Sequence, residues 1–284
     1  MKVLISADME GVCGVTSWAQ VTPPEFGGKA PGEYERTRER MTREVCAAAQ
    51  GALEAGANEI IVADSHHGMR NLIPELLPRH TRLVSGNERP LGMMQGVDEN
   101  GVRCAFFTGY HARAGSARAV LSHTWSGLVN DVRLNGRSTG EYGLNAWLAA
   151  QYGVPVTLVA GDDAAVREVR DELGDHVLGV PVKQSLSRYA ATSLHPEDAC
   201  ERIRDAAARA FALAATSAPY AVESPTRVEV EFSHTVRVDL VTHLLPEVER
   251  TGTRTLAYTA NSAVEGFRLF RLVNKLAEVE QDVH

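Results

Sequence analysis

Short apolar runs punctuate the chain. Val3-Leu4-Ile5, Ile60-Ile61-Val62-Ala63, Cys104-Ala105-Phe106-Phe107 and Val156-Thr157-Leu158-Val159-Ala160 each read as a short buried strand. Between the first two, Tyr34 to about Ala55 reads as a long helix, charged in its first half, alanine-rich in its second and closed by Gly56. Strand–helix–strand spacing of this kind predicts a parallel pair joined by a right-handed crossover. Further strands are expected at 82–86 and 177–182, with a short helix at 91–96. Val132-Arg133-Leu134 runs into Asn135-Gly136, the dipeptide that best fits a tight hairpin, and returns through Arg137-Ser138-Thr139. Helices are expected at 141–151, 164–173, 196–214 and 263–278, and two more strands at 228–232 and 255–259. The pattern predicts an α/β protein: a mostly parallel sheet with flanking helices in residues 1–164, and a smaller α+β unit in residues 165–284.

The chemistry follows the strands. The first leaves into Asp8-Met9-Glu10-Gly11, and in an extended segment Asp8 and Glu10 face the same way. Two such carboxylates repel unless a cation lies between them or one is protonated. A solvated turn bearing two ordinary acids is the bland alternative. The second strand ends in Asp64-Ser65-His66-His67-Gly68 and the next long one in Gly109-Tyr110-His111. Ligands in open α/β sheets sit beyond the carboxyl ends of the strands, so His111 and one of His66 or His67 are expected beside Asp8 and Glu10. Three strand ends bearing Asp/Glu, His and His favour a metal site. That ligand mix suits zinc or a similar divalent ion. His123, in Val120-Leu121-Ser122-His123-Thr124-Trp125, is a further candidate from the same region.

Three stretches admit two readings. Residues 11–32, rich in Gly and Pro, form either a flap with Trp18 and Phe26 as apolar contacts, or a loop that those aromatics pin to the body. Gly136 to Gly140 spells G-x-S-x-G, the nucleophile elbow of serine hydrolases around Ser138. The hairpin already explains Gly136, and taking Glu141 at the helix start as one more carboxylate ligand leaves the other strand ends with a purpose. Glu141 is favoured over Ser138. Asp162-Asp163 reads as a helix cap. Lys183, after the strand at 177–182, would meet a substrate carboxylate or, as the favoured reading, sit solvated at the surface.

Composition narrows the setting. The 284 residues are 44% hydrophobic, enough for a full core, and 29 basic against 36 acidic residues leave a net charge of −7. That balance argues against nucleic acid or an anionic membrane as partner. No stretch approaches a transmembrane span and the N-terminus enters a strand without a signal-peptide pattern. Cys13, Cys46, Cys104 and Cys200 form no C-x-x-C pair, which fits a reduced, cytoplasmic protein.

Taken together, Ser6-x-Asp8-x-Glu10-Gly11, Asp64-Ser65-His66, Gly109-Tyr110-His111-Ala112-Arg113, Ser122-His123 and Gly140-Glu141-x-Gly143-Leu144-Asn145 resemble the DppA-type D-aminopeptidase family of zinc metallopeptidases. The motifs fall in the family's order with no departure at these positions. Val159-Ala160-Gly161-Asp162-Asp163 and Val182-Lys183-Gln184 extend the likeness into the second half. The resemblance implies two Zn2+ per subunit bridged by Asp8, with Glu10 and His111 completing one shell and His66 and Glu141 the other. It implies His123 as the catalytic residue and a ring-like homo-oligomer, a decamer. The substrates it implies are short peptides with an N-terminal D-residue, of the D-Ala-D-Ala type. Another two-metal hydrolase, acting on a phosphoester or a cyclic amide, and a non-enzymatic ring protein with structural metals are the rival functions.

Overall fold

The computed structural model describes residues 1–279; residues 280–284 of the expected second unit lie outside the described residues. In chain order the strands are β1 (Lys2–Ala7), β2 (Glu59–Asp64), β3 (Thr81–Val84), β4 (Val102–Tyr110), β5 (Val129–Leu134), β6 (Arg137–Thr139), β7 (Val156–Asp162), β8 (Leu178–Ser187), β9 (Ala190–Ser193), β10 (Thr226–Phe232), β11 (Glu249–Arg250) and β12 (Thr255–Ala260). The helices are α1 (Pro31–Glu54), α2 (Glu141–Gln151), α3 (Asp163–Leu173), α4 (Pro196–Leu213), α5 (Thr235–Leu244) and α6 (Ala263–Ala277). One sheet has the order β3-β2-β1-β4-β7-β8-β9 and is parallel except at the β8–β9 hairpin. A second sheet, β11-β12-β10-β5-β6, is antiparallel throughout. The protein is thus α/β with a mainly parallel sheet and a second, antiparallel one. Each sheet takes strands from both sides of residue 164: β8 and β9 extend the first, and β5 and β6 complete the second.

The parallel sheet is covered on both faces, which is why its strands read as continuous apolar runs. Val3, Ile5, Val62, Phe106 and Leu158 pack under α1 and α4, against Val45, Ala48, Ala52, Ile203 and Ala207. Leu4, Ile61, Phe107 and Val159 face the opposite way, into a core shared with α2, α6 and the second sheet. The hairpin at Asn135-Gly136 forms as the dipeptide predicts, both residues having positive φ (49° and 81°). Asp162 caps α3 through the amides of Ala164 and Ala165. Three elements escape the sequence pattern, among them the two-residue β11. α5 begins Thr-Val-Arg-Val, a β-branched run without helical signal, and β9 is built of Ala, Thr and Ser with no apolar alternation. No helix among the described residues is long and apolar enough to cross a membrane.

The topology sets the site. From β1 the chain steps outward through β2 to β3, whereas β4, β7 and β8 build on the other side, so the strand order reverses between β1 and β4. A crevice opens there, beyond the carboxyl ends of the strands. Ala7 pairs with Asp64 of β2 and with Thr108 of β4, so three strands end level and their following residues converge. The backbones approach closely at this point. Asp8 N donates to the Thr108 carbonyl and Gly11 N to the Gly109 carbonyl, both at 2.8 Å. Gly109 has φ +67°, and a Cβ there would fall 2.0 Å from the Asp8 carbonyl oxygen. Gly109→Ala should therefore destabilise the protein by more than about 3 kcal/mol in chemical denaturation, combining backbone strain with forced separation of β1 and β4. A loss below about 1 kcal/mol would mean that these strand ends separate freely.

Candidate metal centre

All six residues singled out from the sequence, Asp8, Glu10, His66, His111, His123 and Glu141, meet beyond these strand ends. They fall into two groups, Asp8–Glu10–His66 and His111–His123–Glu141, each with its ligand atoms within 4.8 Å of one another. Asp8 spans the two, with Oδ1 3.2 Å from His66 Nδ1 and Oδ2 3.4 Å from His111 Nε2. Glu10 Oε2 lies 3.1 Å from His66 Nδ1, and Glu141 Oε1 lies 3.4 Å from His111 Nε2. His123 stands slightly back, its Nε2 3.9 Å from Glu10 and 3.8 Å from Glu141, with its ring stacked on His111 at 4.1 Å. By spacing, Glu10 stands with His66 and Glu141 with His111, whereas the resemblance implies Glu10 with His111 and His66 with Glu141. β2 and β4 flank β1 on opposite sides, so the two imidazoles arrive from opposite sides and each meets the nearer glutamate.

The histidines are oriented alike. His66 Nε2 faces the Val21 carbonyl at 2.7 Å, His111 Nδ1 the Ala112 carbonyl at 3.0 Å, and His123 Nδ1 the Leu121 carbonyl at 2.9 Å. A carbonyl only accepts, so each of these nitrogens carries its ring's N–H. In a neutral ring the other nitrogen then presents a lone pair, and in all three it points at carboxylate oxygens. Lone pair against anion is repulsive, and a cation or a proton between them removes the conflict. Tying the outer N–H to a carbonyl is how metal-ligating histidines are held. Tetrahedral zinc with bonds of about 2.0–2.1 Å places its ligand atoms about 3.4 Å apart, close to the 3.1–3.4 Å spacings here. Glu10 Oε2 is buried and takes no hydrogen bond, as a metal-directed oxygen would. The residues fit a pair of divalent ions.

Charge follows from this arrangement. Burial works to raise Asp8, Glu10 and Glu141, but the imidazoles outweigh it and hold all three carboxyls below their usual range. Burial likewise opposes charge on His66 and His111, yet Glu10 beside the first and Glu141 beside the second lift both rings well above an ordinary histidine. His123 goes the other way, lowered by burial and by its neighbour His111. One histidine of the cluster is thereby kept apart from the charge-compensating pair.

A buried polar layer supports the ligands. Tyr110 Oη shares hydrogen bonds with Ser6 Oγ (2.7 Å) and Asn145 Nδ2 (2.8 Å), and Ser6 Oγ meets Ser65 Oγ at 3.0 Å, joining the segments that carry Asp8, His66, His111 and Glu141. The Asp64 carboxylate folds the loop behind His66 by accepting from the amides of Asn71 (2.5 Å) and Leu72 (2.7 Å). Sequence reasoning gave none of these a role, although all but Asn71 and Leu72 lie inside the motifs that carry the ligands. Lys183 departs furthest from expectation. It is 2% exposed, neither a surface lysine nor a substrate contact, and its Nζ donates to the carbonyls of Glu10 (2.5 Å), Val12 (3.0 Å) and Val15 (2.8 Å). Burial pushes its amine down to about 8, with Asp162 and Glu44 opposing. The β7–β8 register places Lys183 opposite Asp162, inside the sheet, where a polar tail residue was expected.

The loop after β1 is pinned. Glu44 Oε1 accepts from Cys13 N, Ser17 and Gln20 form a reciprocal capping box, and Val21 receives His66. Trp18 packs edge-on against His123 at 5.2 Å, and Phe26 lies 4.2 Å from the ring of His67, which takes no part in the cluster. Ser138 sits on the outer strand β6 and donates to Asp131, without a histidine partner, so the elbow reading fails. The cluster opens into a cavity of about 530 Å³ lined also by Trp18, Phe26 and Trp125.

A parallel α/β sheet carrying buried carboxylates and imidazoles at its switch point defines a metal-dependent hydrolase. The family can be stated directly: residues 1–272 match the peptidase M55 family model, described as D-aminopeptidase, and the chain belongs to that family of peptide-bond hydrolases. A curated D-aminopeptidase of Bacillus subtilis (strain 168) is 36% identical over 280 residues, 98% of each chain. The solved structure of the Zn-dependent D-aminopeptidase DppA from Bacillus subtilis, described as a self-compartmentalizing protease, superposes with a TM-score of 0.92 at 33% identity over 99% of both chains.

The buried amine yields a prediction about the site's foundation. Lys183→Met keeps the volume but strands the Glu10, Val12 and Val15 carbonyls and leaves Asp162 and Glu44 without their cation. Chemical denaturation of the metal-loaded variant should show a loss of about 3–5 kcal/mol, the cost of breaking a buried charge network from one side. A loss under about 1 kcal/mol would make the lysine incidental to the loop.

Proposed function

We propose that this protein is a zinc-dependent aminopeptidase that removes the N-terminal D-residue from short peptides of the D-Ala-D-Ala type. Two zinc ions per subunit would be held by Asp8, Glu10 and His66 on one side and by Asp8, His111 and Glu141 on the other, Asp8 serving both. The observation that carries this reading is the common orientation of His66 and His111, each with its inner nitrogen aimed at two carboxylates. The zinc and the D-preference rest on the family and on the Zn-dependent relative. By the same likeness the chain assembles into a closed homo-oligomer, a decamer, whose compartment admits small peptides and excludes folded proteins. Its four cysteines, all free, suit a cytoplasmic setting.

When bound, the ions polarise the scissile carbonyl and lower the pKa of water. The rest falls to the chain's own groups. His123 is tethered through Nδ1, so its Nε2 is the free base, facing Glu10 and Glu141 across the floor. An imidazole with this nitrogen free accepts a proton near neutral pH. It takes the proton from the attacking water as the carbon–oxygen bond forms, then delivers it to the departing amine as the carbon–nitrogen bond breaks. Trp18 against one edge of His123 and His111 stacked on its face limit its rotation and keep bulk water from the ring.

The test is metal analysis coupled to a panel of D- and L-dipeptides. Two zinc equivalents, hydrolysis of D-Ala-D-Ala and its loss on chelation are expected, and Asp8→Ala should lose both equivalents because it serves both ions. Release of phosphate from esters without peptide hydrolysis, or a folded zinc-loaded protein inert to every peptide, would sink the reading. His123→Ala should keep its zinc and its oligomeric state yet lose roughly 10²–10⁴-fold in kcat. Loss of a zinc equivalent in that variant would make His123 a ligand instead.

A further inference from the structure

The cavity lining carries side chains of both charges. Its floor holds Asp8, Glu10 and Glu141, and the only Lys or Arg side chains lining it among the described residues are Arg271 and Lys275. These lie one turn apart on α6, and neither pairs with a floor carboxylate. Both instead share one exposed counter-ion, Glu88, which meets Arg271 Nη2 at 2.5 Å through Oε2 and Lys275 Nζ at 3.0 Å through Oε1. Glu278 also lines this end, without an ion pair to either cation. Arg271 is held rigidly, 17% exposed and donating through Nη1 to the carbonyls of Arg89 and Pro90, whereas Lys275 is 61% exposed. Glu88 follows Asn87, whose Nδ2 donates to the carbonyl of His67, the residue after His66.

We infer that Arg271 and Lys275 form a recognition site for the C-terminal carboxylate of a short peptide, and that Glu88 holds the site when no substrate is bound. The inference rests on the peptidase reading above and deepens it. A dipeptide spans about 7 Å when extended, with its amine and carboxylate at opposite ends. The floor takes the amine end at the metal centre, and the α6 cations take the acid end, which orients the substrate before reaction. A fixed guanidinium beside a mobile ammonium is suited to a carboxylate, since the first supplies directed donors and the second adapts in position. Because Glu88 already occupies both cations, an incoming carboxylate replaces a like group, and the exchange preserves local charge balance.

The experiment compares D-Ala-D-Ala with its C-terminal amide on the zinc-loaded, full-length enzyme. Wild type should show a KM about 10- to 100-fold lower for the acid, the worth of a hydrogen-bonded charge contact. Lys275→Gln should raise KM for the acid about tenfold and leave the amide unchanged. Glu88→Gln, which frees both cations, should lower KM for the acid and again leave the amide unchanged. Opposite shifts confined to the acid are not what a structural role would produce. Equal KM values for acid and amide in wild type, or variants that move both substrates alike, would overturn the inference while leaving the peptidase reading intact. No hydrolysis of either substrate would overturn both.

Discussion

The structure is governed by one electrostatic constraint: Asp8, Glu10 and Glu141 are buried together at the end of a parallel sheet. Carboxylates in such a place are tolerated only if positive charge stands among them. The fold brings three imidazoles to the same point and ties the outer nitrogen of each to a main-chain carbonyl, which leaves the inner nitrogens no partner but the acids. Asp8 turns one oxygen to either side, so the central strand of the sheet also bears the central ligand. Glu141 gains from its position in the first turn of α2, where the helix N-terminus favours an anion. A bound divalent cation would meet the remaining demand.

The same constraint explains the buried lysine. After β1 the chain cannot continue in the sheet without carrying Glu10 away from His66, so it turns into irregular backbone. The carbonyls of that segment still need partners. Lys183 supplies three donors from the neighbouring β8, at a desolvation cost offset by Asp162 and Glu44. Of the two readings that the sequence leaves open for this loop, flap or pinned segment, residues 11–22 take the second and form a braced wall against which His66 and His123 rest.

The sequence made the parallel sheet and the ligands legible for one reason. Strands buried on both faces read as unbroken apolar runs, and a ligand at a carboxyl end is the first polar residue after such a run, as Asp8, His66 and His111 all are or nearly are. Lys183 was misread because its own residue type and its polar neighbours Gln184 and Ser185 look solvated; only the β7–β8 register shows that it points inward. Ser6, Ser65, Tyr110 and Asn145 carry no individual signal, since a hydrogen-bonded platform arises from tertiary approach. The pairing of Glu10 with His66 was equally hidden. Which imidazole a glutamate meets depends on the strand order, and sequence alone does not supply the positions of β2 and β4 on either side of β1.

Strand order also explains why the second half of the chain, which holds none of the six clustered residues, still belongs to the site. Glu141 begins α2 just after β6, and β6 is fixed by its hairpin with β5 and by bonds from Arg137 and Thr139 to the end of α3. β5 in turn is held by β10, and β10 by β12, both from beyond residue 225. α6 then packs against α2 on the far side, with Gly266 close under Trp147. The position of one carboxylate therefore depends on an antiparallel sheet assembled from distant parts of the chain. A boundary drawn at residue 164 would cut both this support and the strand that delivers Lys183. The buried carboxylates and the C-terminal elements consequently form one mechanical unit, with α6 lining the cavity and also packing against α2.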